Sequence, residues 1–561
     1  MSAARNARPT TARIAVKAAA LMIIPIAITA TSVGAVPAKA SPRHGTSLTP
    51  GNLVVATSTF QYVPGVVAGR TLLPAGCVQG SSTNPCATAV TGGGYPGIFN
   101  NSSVDGSFGV TSKIVLEELK PNGKMIGSVQ VPNSTTPGFR GTNDQMTTSF
   151  SSKSELALNL SPNGRTLTFM GYDSPVGVLD VSNSNTPGTN PAGTNPAAAP
   201  HYRAVAQLGT NGKFHFTLTN AFSGDNARAA ILGPAGNRLY MAGNANDSAG
   251  NAFITGTGAQ ITTPAGAPES AQTPGAPTPV GSFGVPELGL SEGGDVAKEN
   301  NYNALTVQHN VLYFVKGSGG KGVNTVYFVD TTGKACPQGI GVPQPGAKLP
   351  TTPLPGAHID ANGRLAPFNM CVLAGFPQIL NSANPIPANP AGIFFADPHT
   401  LYIADEGNQT SPTTTGSYAT ARPVNNPTAG LQKWVYVPAA KAWHLAYTVQ
   451  TGLDLGQPYR VKGYPTGSNN LPGGTHAPWA PATDGLRHLT GRVNPNGTVT
   501  LYATTSTVSG SGDQGADPNR LVTLTDPINA RTPANRETFT TITTATNGQL
   551  FRGISFTPGT R

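Results

Sequence analysis

Six times along this chain a run of strand-forming residues meets a short glycine turn, and a second such run follows. The turns read Lys-Pro-Asn-Gly-Lys at 120–124, Ser-Pro-Asn-Gly-Arg at 161–165, Thr-Asn-Gly-Lys at 210–213, Gly-Pro-Ala-Gly-Asn at 233–237, Asn-Pro-Asn-Gly-Thr at 494–498 and Thr-Asn-Gly-Gln at 546–549. Asn-Gly accepts the positive φ angles that tight antiparallel connections need, so each turn marks a hairpin. Similar hairpins repeated along one chain mean serial or radial repetition of a β unit. Composition agrees: with 68 Gly, 51 Pro and only 11% charged residues, the chain suits a turn-rich all-β fold. No sustained helical periodicity follows the N-terminal segment.

The strand runs are of two kinds. Leu239–Gly243, Leu312–Val315, Leu401–Asp405 and Leu501–Thr504 are apolar and end on small or polar residues. They suit strands buried on both faces near a propeller axis. Gln432–Tyr436 carries charge and reads as an outer strand with a wet face. Apolar pairs near 154–170, 228–242, 303–315, 392–404 and 487–504 give five blades. A sixth forms if 551–556 pairs with 51–56, which removes two free edges and closes the ring. The expected fold is therefore all-β, a single β-propeller of six blades, with a seventh if one is hidden in 250–300 or 340–390. Long Pro- and Gly-rich segments at 60–112, 183–200, 256–300, 331–390 and 408–429 read as irregular loop insertions.

Residues 1–40 have the pattern of an export signal: Arg5, Arg8, Arg13 and Lys17, an apolar stretch from Ala18 to Val36, then Ala38-Lys39-Ala40 as a small-x-small cleavage site. The propeller is then 41–561, secreted or held on the envelope without a membrane span. Of the net charge of +10, five positive charges lie in that segment, which leaves about +5 on the remainder. This is too dilute for nucleic acid as a partner. Cys77, Cys86, Cys336 and Cys371 are expected to pair in an exported chain. Local pairing, 77–86 and 336–371, is the simplest of three connectivities. Without C-x-x-C spacing or adjacent histidines, they form no metal site.

The units Ser161-Pro-Asn-Gly-Arg-Thr-Leu-Thr-Phe, Gly233-Pro-Ala-Gly-Asn-Arg-Leu-Tyr-Met-Ala-Gly-Asn and Asn494-Pro-Asn-Gly-Thr-Val-Thr-Leu-Tyr-Ala resemble the inner hairpin of the YVTN/lactonase-like and NHL-like β-propellers. The resemblance covers about a dozen residues per blade. It implies the fold, which lactonases, surface-layer proteins and dehydrogenase subunits share. No catalytic motif of those proteins maps onto this chain, and fold alone does not make an enzyme.

Candidate chemistry gathers where inner strands begin. Asp225-Asn-Ala-Arg228 precedes one inner strand, Asp484-Gly-Leu-Arg487 another, and Phe551-Arg552-Gly553 opens the last; Phe139-Arg140-Gly141 echoes it. Equivalent places in a propeller ring one mouth of the axis. Asp225, Arg228, Arg487 and Arg552 are thus expected to bind ligand, the arginines holding a carboxylate, phosphate or sulfate. The competing reading of the Asp-x-x-Arg spacing is a local ion pair. Asp405, Glu406, Asp484 and His488 are the catalytic candidates, and paired carboxylates at a mouth could also hold a divalent cation. Asp405 and Glu406 are adjacent, so on a strand they point opposite ways. Asp397-Pro398-His399 reads as a hairpin turn. Gly289-Leu-Ser-Glu-Gly293 matches G-x-S-x-G without the α/β setting it needs, and the 317–321 glycine run is no P-loop. Asp513–Asp517 reads as a solvated turn, too poor in acids for calcium.

The expected function is a monomeric, secreted binding or scaffold propeller. Its loop-rich face would take an extracellular small molecule or glycan, an anionic glycan or envelope component above all. Trp434, Trp443 and Trp479 are candidate sugar-stacking surfaces. The alternative is an extracellular propeller hydrolase or lyase, acting on a lactone, phosphoester or glycan at the axial mouth.

Overall fold

The computed structural model describes residues 47–560 except 74, 76, 82–85, 100–107, 140–144, 188–198, 245–257, 265–281, 284–300, 319–321, 337–338, 352–356, 360–364, 368–369, 380–387 and 535–536. The export-signal pattern of 1–40, Arg140 and the 289–293 motif lie outside the described residues.

Six antiparallel sheets follow one another around an axis. Blade 1 joins the chain ends: Gln549–Phe556 is its inner strand, followed outward by Leu53–Thr59, Thr111–Leu119 and Met125–Gln130. Blade 2 holds Asn159–Leu160, Thr166–Tyr172, Arg203–Gly209 and Phe214–Thr219. Blade 3 holds Ala227–Leu232, Leu239–Gly243, Ala259–Thr262 and Ser282–Phe283. In blade 4, Tyr302–Gln308, Val311–Lys316, Thr325–Val329 and Met370–Leu373 are joined by a parallel edge, Ile340–Gly341. Blade 5 is Pro390–Asp397, Thr400–Asp405, Gly430–Val437 and Ala442–Val449; blade 6 is Ala482–Val493, Thr498–Val508, Arg520–Pro527 and Thr540–Thr544. The inner strand of each blade packs on its neighbours', and blade 6 returns to blade 1.

The closure expected from the sequence is present, with Leu53 opposite Phe556 and Thr59 opposite Gln549. Three stretches read as irregular contain strands: Leu72–Leu73 pairs with Ala87–Thr88 in 60–112, Ala259–Thr262 and Ser282–Phe283 complete blade 3, and Ile340–Gly341 and Met370–Leu373 complete blade 4, beside a small hairpin of Ala357–Ile359 and Leu365–Pro367. The disulfides are local, Cys77–Cys86 and Cys336–Cys371.

The core is a set of wedges at the seams between blades. Leu116 and Phe169 meet between blades 1 and 2, and Met170 and Met241 between 2 and 3. Tyr240 and Phe314 lie between 3 and 4, and Tyr313 and Trp434 between 4 and 5. Tyr402 and Leu524 lie between 5 and 6, and Tyr502 and Phe556 between 6 and 1. Gly430–Val437 is not the wet strand expected. Lys433 is fully buried in the 5–6 seam, where its ammonium donates to Asp526 at 2.7 Å and to Pro527 O at 2.6 Å.

The antiparallel order sorts the connections onto two faces. Turns at 120–124, 161–165, 210–213, 233–237 and 494–498 join strands at the lower face, with Gly123, Gly164, Gly212, Gly236 and Gly497 all at positive φ. The turn at 546–549 lies at the opposite end, leading into the last inner strand. That upper face receives the long connections 60–110, 131–158, 173–202, 406–429, 450–481 and 509–519.

Candidate functional site

The upper ends of the inner strands are irregular in the same way. In blade 6, Leu486 pairs with Thr505 and His488 with Thr504, so Arg487 has no partner across the ladder. Arg228 is skipped likewise between Ala227 and Ala229, Asn303 between Tyr302 and Ala304, and Ala391 between Pro390 and Gly392. In blade 1, Arg552 and Gly553 together face Ala56. Each is a β-bulge, which frees one residue from the ladder and re-aims its side chain. In blade 2 the corresponding position is Leu156, which turns at φ 67° ahead of the paired Asn159–Leu160.

The residue after each break is small in five blades: Gly553, Ala157, Ala229, Ala304 and Gly392. Neighbouring blades touch there through their main chains. Gly553 N donates to Leu156 O and Ala157 N to Arg228 O, both at 3.0 Å. A Cβ on Gly553 would stand 2.3 Å from Leu156 O. In blade 6 the equivalent place holds His488 instead.

Glu406 is the hub of the resulting cluster. It follows the strand ending at Asp405, is fully buried, and accepts from Arg487 Nε at 2.9 Å and Lys153 Nζ at 3.4 Å. Burial would raise its pKa, but Lys153 and Arg487 outweigh burial and hold it below the ordinary value. Lys153 is the most accessible member, with 27% of its side chain exposed. Arg228 donates to Asn303 Oδ1 and to Ser318 Oγ, both neutral groups of blade 4. Burial lowers its pKa to about 10, while Glu406 and Glu155 work in the opposite direction.

Arg228 Nε, Arg487 Nη2 and His488 Nε2 are buried with no hydrogen-bond partner. Burial, then Arg487 and Arg552, push His488 down to about 3, so its ring is neutral near pH 7. Arg552 has its donors engaged instead: it reaches Ser58 Oγ and the carbonyls of Ser149, Phe150, Ser152 and Gly515, tying blade 1 to two upper-face connections.

Neither Asp-x-x-Arg element closes on itself. Asp225 Oδ1 accepts from Asn244, and Arg228 turns to blade 4. Asp484 accepts from Gln409 N at 2.6 Å and from Asn426 Nδ2 at 3.1 Å, while Arg487 crosses to Glu406. Asp405 accepts from Asn389 N, Gly407 N and Gln432 Nε2. Burial raises both Asp405 and Asp484 to about 7. Asp405 and Glu406 do bond to different partners, as their alternation predicts. His399 N donates to Asp397 Oδ1 in the expected hairpin turn.

The Asp513–Asp517 segment is not a solvated turn. Asp517 is fully buried, accepting from Tyr464 OH at 2.6 Å and Ser509 Oγ at 2.9 Å, and Gly515 lies against Ser151 O. Among the described residues, Asp330, Cys336 and Cys371 form the one group close enough to suggest a metal, but its two sulfurs are joined in a disulfide. Trp434 and Trp443 are packed in the 4–5 seam. Among the described residues no helix is long and apolar enough to cross a membrane.

The sequence pointed to the arginines but missed Lys153, Glu155 and Asn303. Glu155 is fully buried, binding Thr148 Oγ1, Ser149 N, Tyr172 OH and Asn226 Nδ2. Asn303 had no sequence signal of its own, since its place is set by a break in strand register.

No family model matches this chain, and no curated protein matches it. Solved structures with similar arrangements include a protein from Lactobacillus plantarum, 12% identical, TM-score 0.32, covering 80% of this chain and 98% of that one. NanB with Optactamide is 9% identical with TM-score 0.29, covering 70% of this chain and 60% of the other. Apo AztD from Citrobacter koseri is 8% identical with TM-score 0.27, covering 80% and 98%. Similarity this low says nothing about activity.

Proposed function

We propose that the chain is an exported binding propeller that takes an anionic group of an extracellular small molecule or glycan at the upper end of its axis. The observation that carries this reading is the set of buried donors without partners, Arg228 Nε and Arg487 Nη2, around one cluster. A buried polar group left unpaired costs about 1–3 kcal/mol, more when charged. A carboxylate, sulfate or phosphate seated between the two guanidinium groups would offset that cost. The two disulfides support an oxidising compartment.

The hydrolase reading draws on Asp405 and Asp484, whose pKa near 7 suits acid–base work. Both carboxyls, however, are bonded to main-chain N–H and side-chain amide donors, which makes them anchors of the 406–429 connection.

Isothermal titration with sodium phosphate, sodium sulfate and galacturonate oligomers tests the binding reading, with glucose oligomers as the uncharged control. At least one anionic probe should bind saturably. Arg228→Gln should weaken it about tenfold or more, since one charged hydrogen bond is worth about 1.5–3 kcal/mol. Arg228 bonds only neutral groups, so this change strands no buried acid. Unchanged affinity in both Arg228→Gln and Arg487→Ala, with the fold intact, would refute the site.

A further inference from the structure

We infer that the upper face carries a second binding site, for an uncharged sugar, between the 91–97 segment of blade 1 and the 465–479 segment entering blade 6. A cavity of about 640 Å³ lies there, lined among others by Tyr95, Pro465, Ser468, Asn470, Leu471 and Trp479. Its size falls in the range of small-molecule sites, ~300–1,000 Å³. Among the described residues no charged side chain lines it. The axial cluster, by contrast, is built of guanidinium, ammonium and carboxylate groups.

Trp479 supplies the second observation. It is only 5% exposed and lines the cavity, yet among the described residues no hydrogen bond holds its indole N–H. Its main-chain N–H is already spent on Gly467 O. So little exposure leaves little of the ring for the stacking expected of it, and the indole N–H is the polar group it can offer. Two more groups are poised with it. Asn470 Oδ1 engages His476 Nδ1 at 3.3 Å, which leaves the Asn470 amide N–H₂ for a ligand. Among the described residues Ser468 Oγ has no hydrogen-bond partner, and a hydroxyl can donate or accept. Donors set among Leu471, Pro465 and the Tyr95 ring match a pyranose, whose surface mixes C–H patches with hydroxyls. An acidic sugar would lose hydration in this larger cavity and meet no cation among its described lining.

The walls are fixed in advance. Tyr95 OH donates to Ala516 O at 2.9 Å, Tyr464 OH to Asp517 Oδ1, and buried Asn469 Nδ2 to Gly510 O at 2.7 Å. Such preorganisation lowers the ordering cost of binding. A second cavity of about 310 Å³ shares Pro465 and Ser468 with the first and continues towards Tyr459 and the exposed Arg460, the one charged residue among its described lining. The pair therefore fits an oligosaccharide better than a single ring.

Isothermal titration of the purified protein with cellotriose, maltotriose and chitotriose tests this, with trigalacturonate as the charged comparison. At least one neutral trisaccharide should bind saturably. Asn470→Ala, at an exposed position, should weaken it about tenfold, and Trp479→Phe, which keeps the ring but removes the N–H, by a similar factor. Arg228→Gln should leave neutral-sugar affinity unchanged. The site is refuted if none of the three neutral sugars gives saturable heat. It is also refuted if Asn470→Ala binds them as the unaltered protein does, which decides the matter even where Trp479→Phe does not fold. Trigalacturonate binding that is lost in Arg228→Gln and kept in Asn470→Ala, with no neutral sugar bound, would leave the axial site standing and remove this one.

Discussion

Glu406 is the residue on which the axial cluster depends. It is the acid bonded to both Arg487 and Lys153, and it has no water-facing surface. Breaking a buried ion pair from one side costs about 3–5 kcal/mol, because the partner is left charged and desolvated. Lys153 can relax towards solvent, which removes part of that cost. Glu406→Gln should therefore lower the unfolding free energy by about 3 kcal/mol in urea denaturation. Arg487→Met should cost less, since Glu406 keeps Lys153. Equal losses, or a smaller loss for Glu406→Gln, would show that Glu406 is not the hub. In the sequence, Glu406 looked like half of a carboxylate pair. Its partners, Lys153 and Arg487, lie 253 and 81 residues away, a separation that no local pattern encodes.

The repeated element is the bulged start of an inner strand. A bulge needs a small residue after it where the next blade's main chain comes close, and Gly553 and Gly392 show the contact. Gly553→Ala would place a Cβ 2.3 Å from Leu156 O and 2.4 Å from Leu158 N. Overpacking of this kind costs about 1–3 kcal/mol, with the upper end expected here because the obstacle is main chain. Gly497→Ala, in a lower-face turn at φ 78° with open space around it, should cost only about 1 kcal/mol of backbone strain. Thermal denaturation of the two variants should rank them in that order; the reverse order would contradict the seam contact. The turns were legible because Asn-Gly works through its own φ angles. The bulges were not, because a bulge is defined by register against a partner strand. The number of residues from bulge to turn also differs between blades, so no fixed spacing gives it away. Met370–Leu373 was missed for a related reason: it is four residues long, and its pairing with Ile340–Gly341 and Thr325–Val329 comes from distant segments.

At the scale of the whole molecule, closure by both termini and the blade count were readable, because hairpin number and unpaired edges are properties of the pattern itself. The electrostatic balance was not, since it depends on burial at the upper face. Burial raises Asp405, Asp484 and Asp513 to about 7 and Asp517 to about 6. The unfolded carboxyl titrates near 3.9. Between these values the folded chain keeps protons that the unfolded chain has released, so stability falls as pH rises. This contribution is full below about pH 4 and is lost as pH passes through about 7. His488 opposes it: lowered to about 3 when folded, it makes stability rise with pH up to its unfolded value near 6.5. His201, also lowered by burial, acts in the same direction as His488, and Glu537, raised by burial to about 8, joins the four aspartates; two histidines against five carboxyls leave the net slope negative. Glu406 sets the acid limit, because its depressed pKa makes its ion pairs a source of stability that vanishes when pH falls through that value. The melting temperature should therefore be higher at pH 5 than at pH 8. Asp484→Asn should narrow the gap by removing one of these carboxyls while keeping an oxygen for Gln409 N. Scanning calorimetry at the two pH values checks both statements. A melting temperature equal or higher at pH 8 would mean that the axial carboxyls are ionised in the folded chain, and that the cluster carries more negative charge than the anion-binding reading allows.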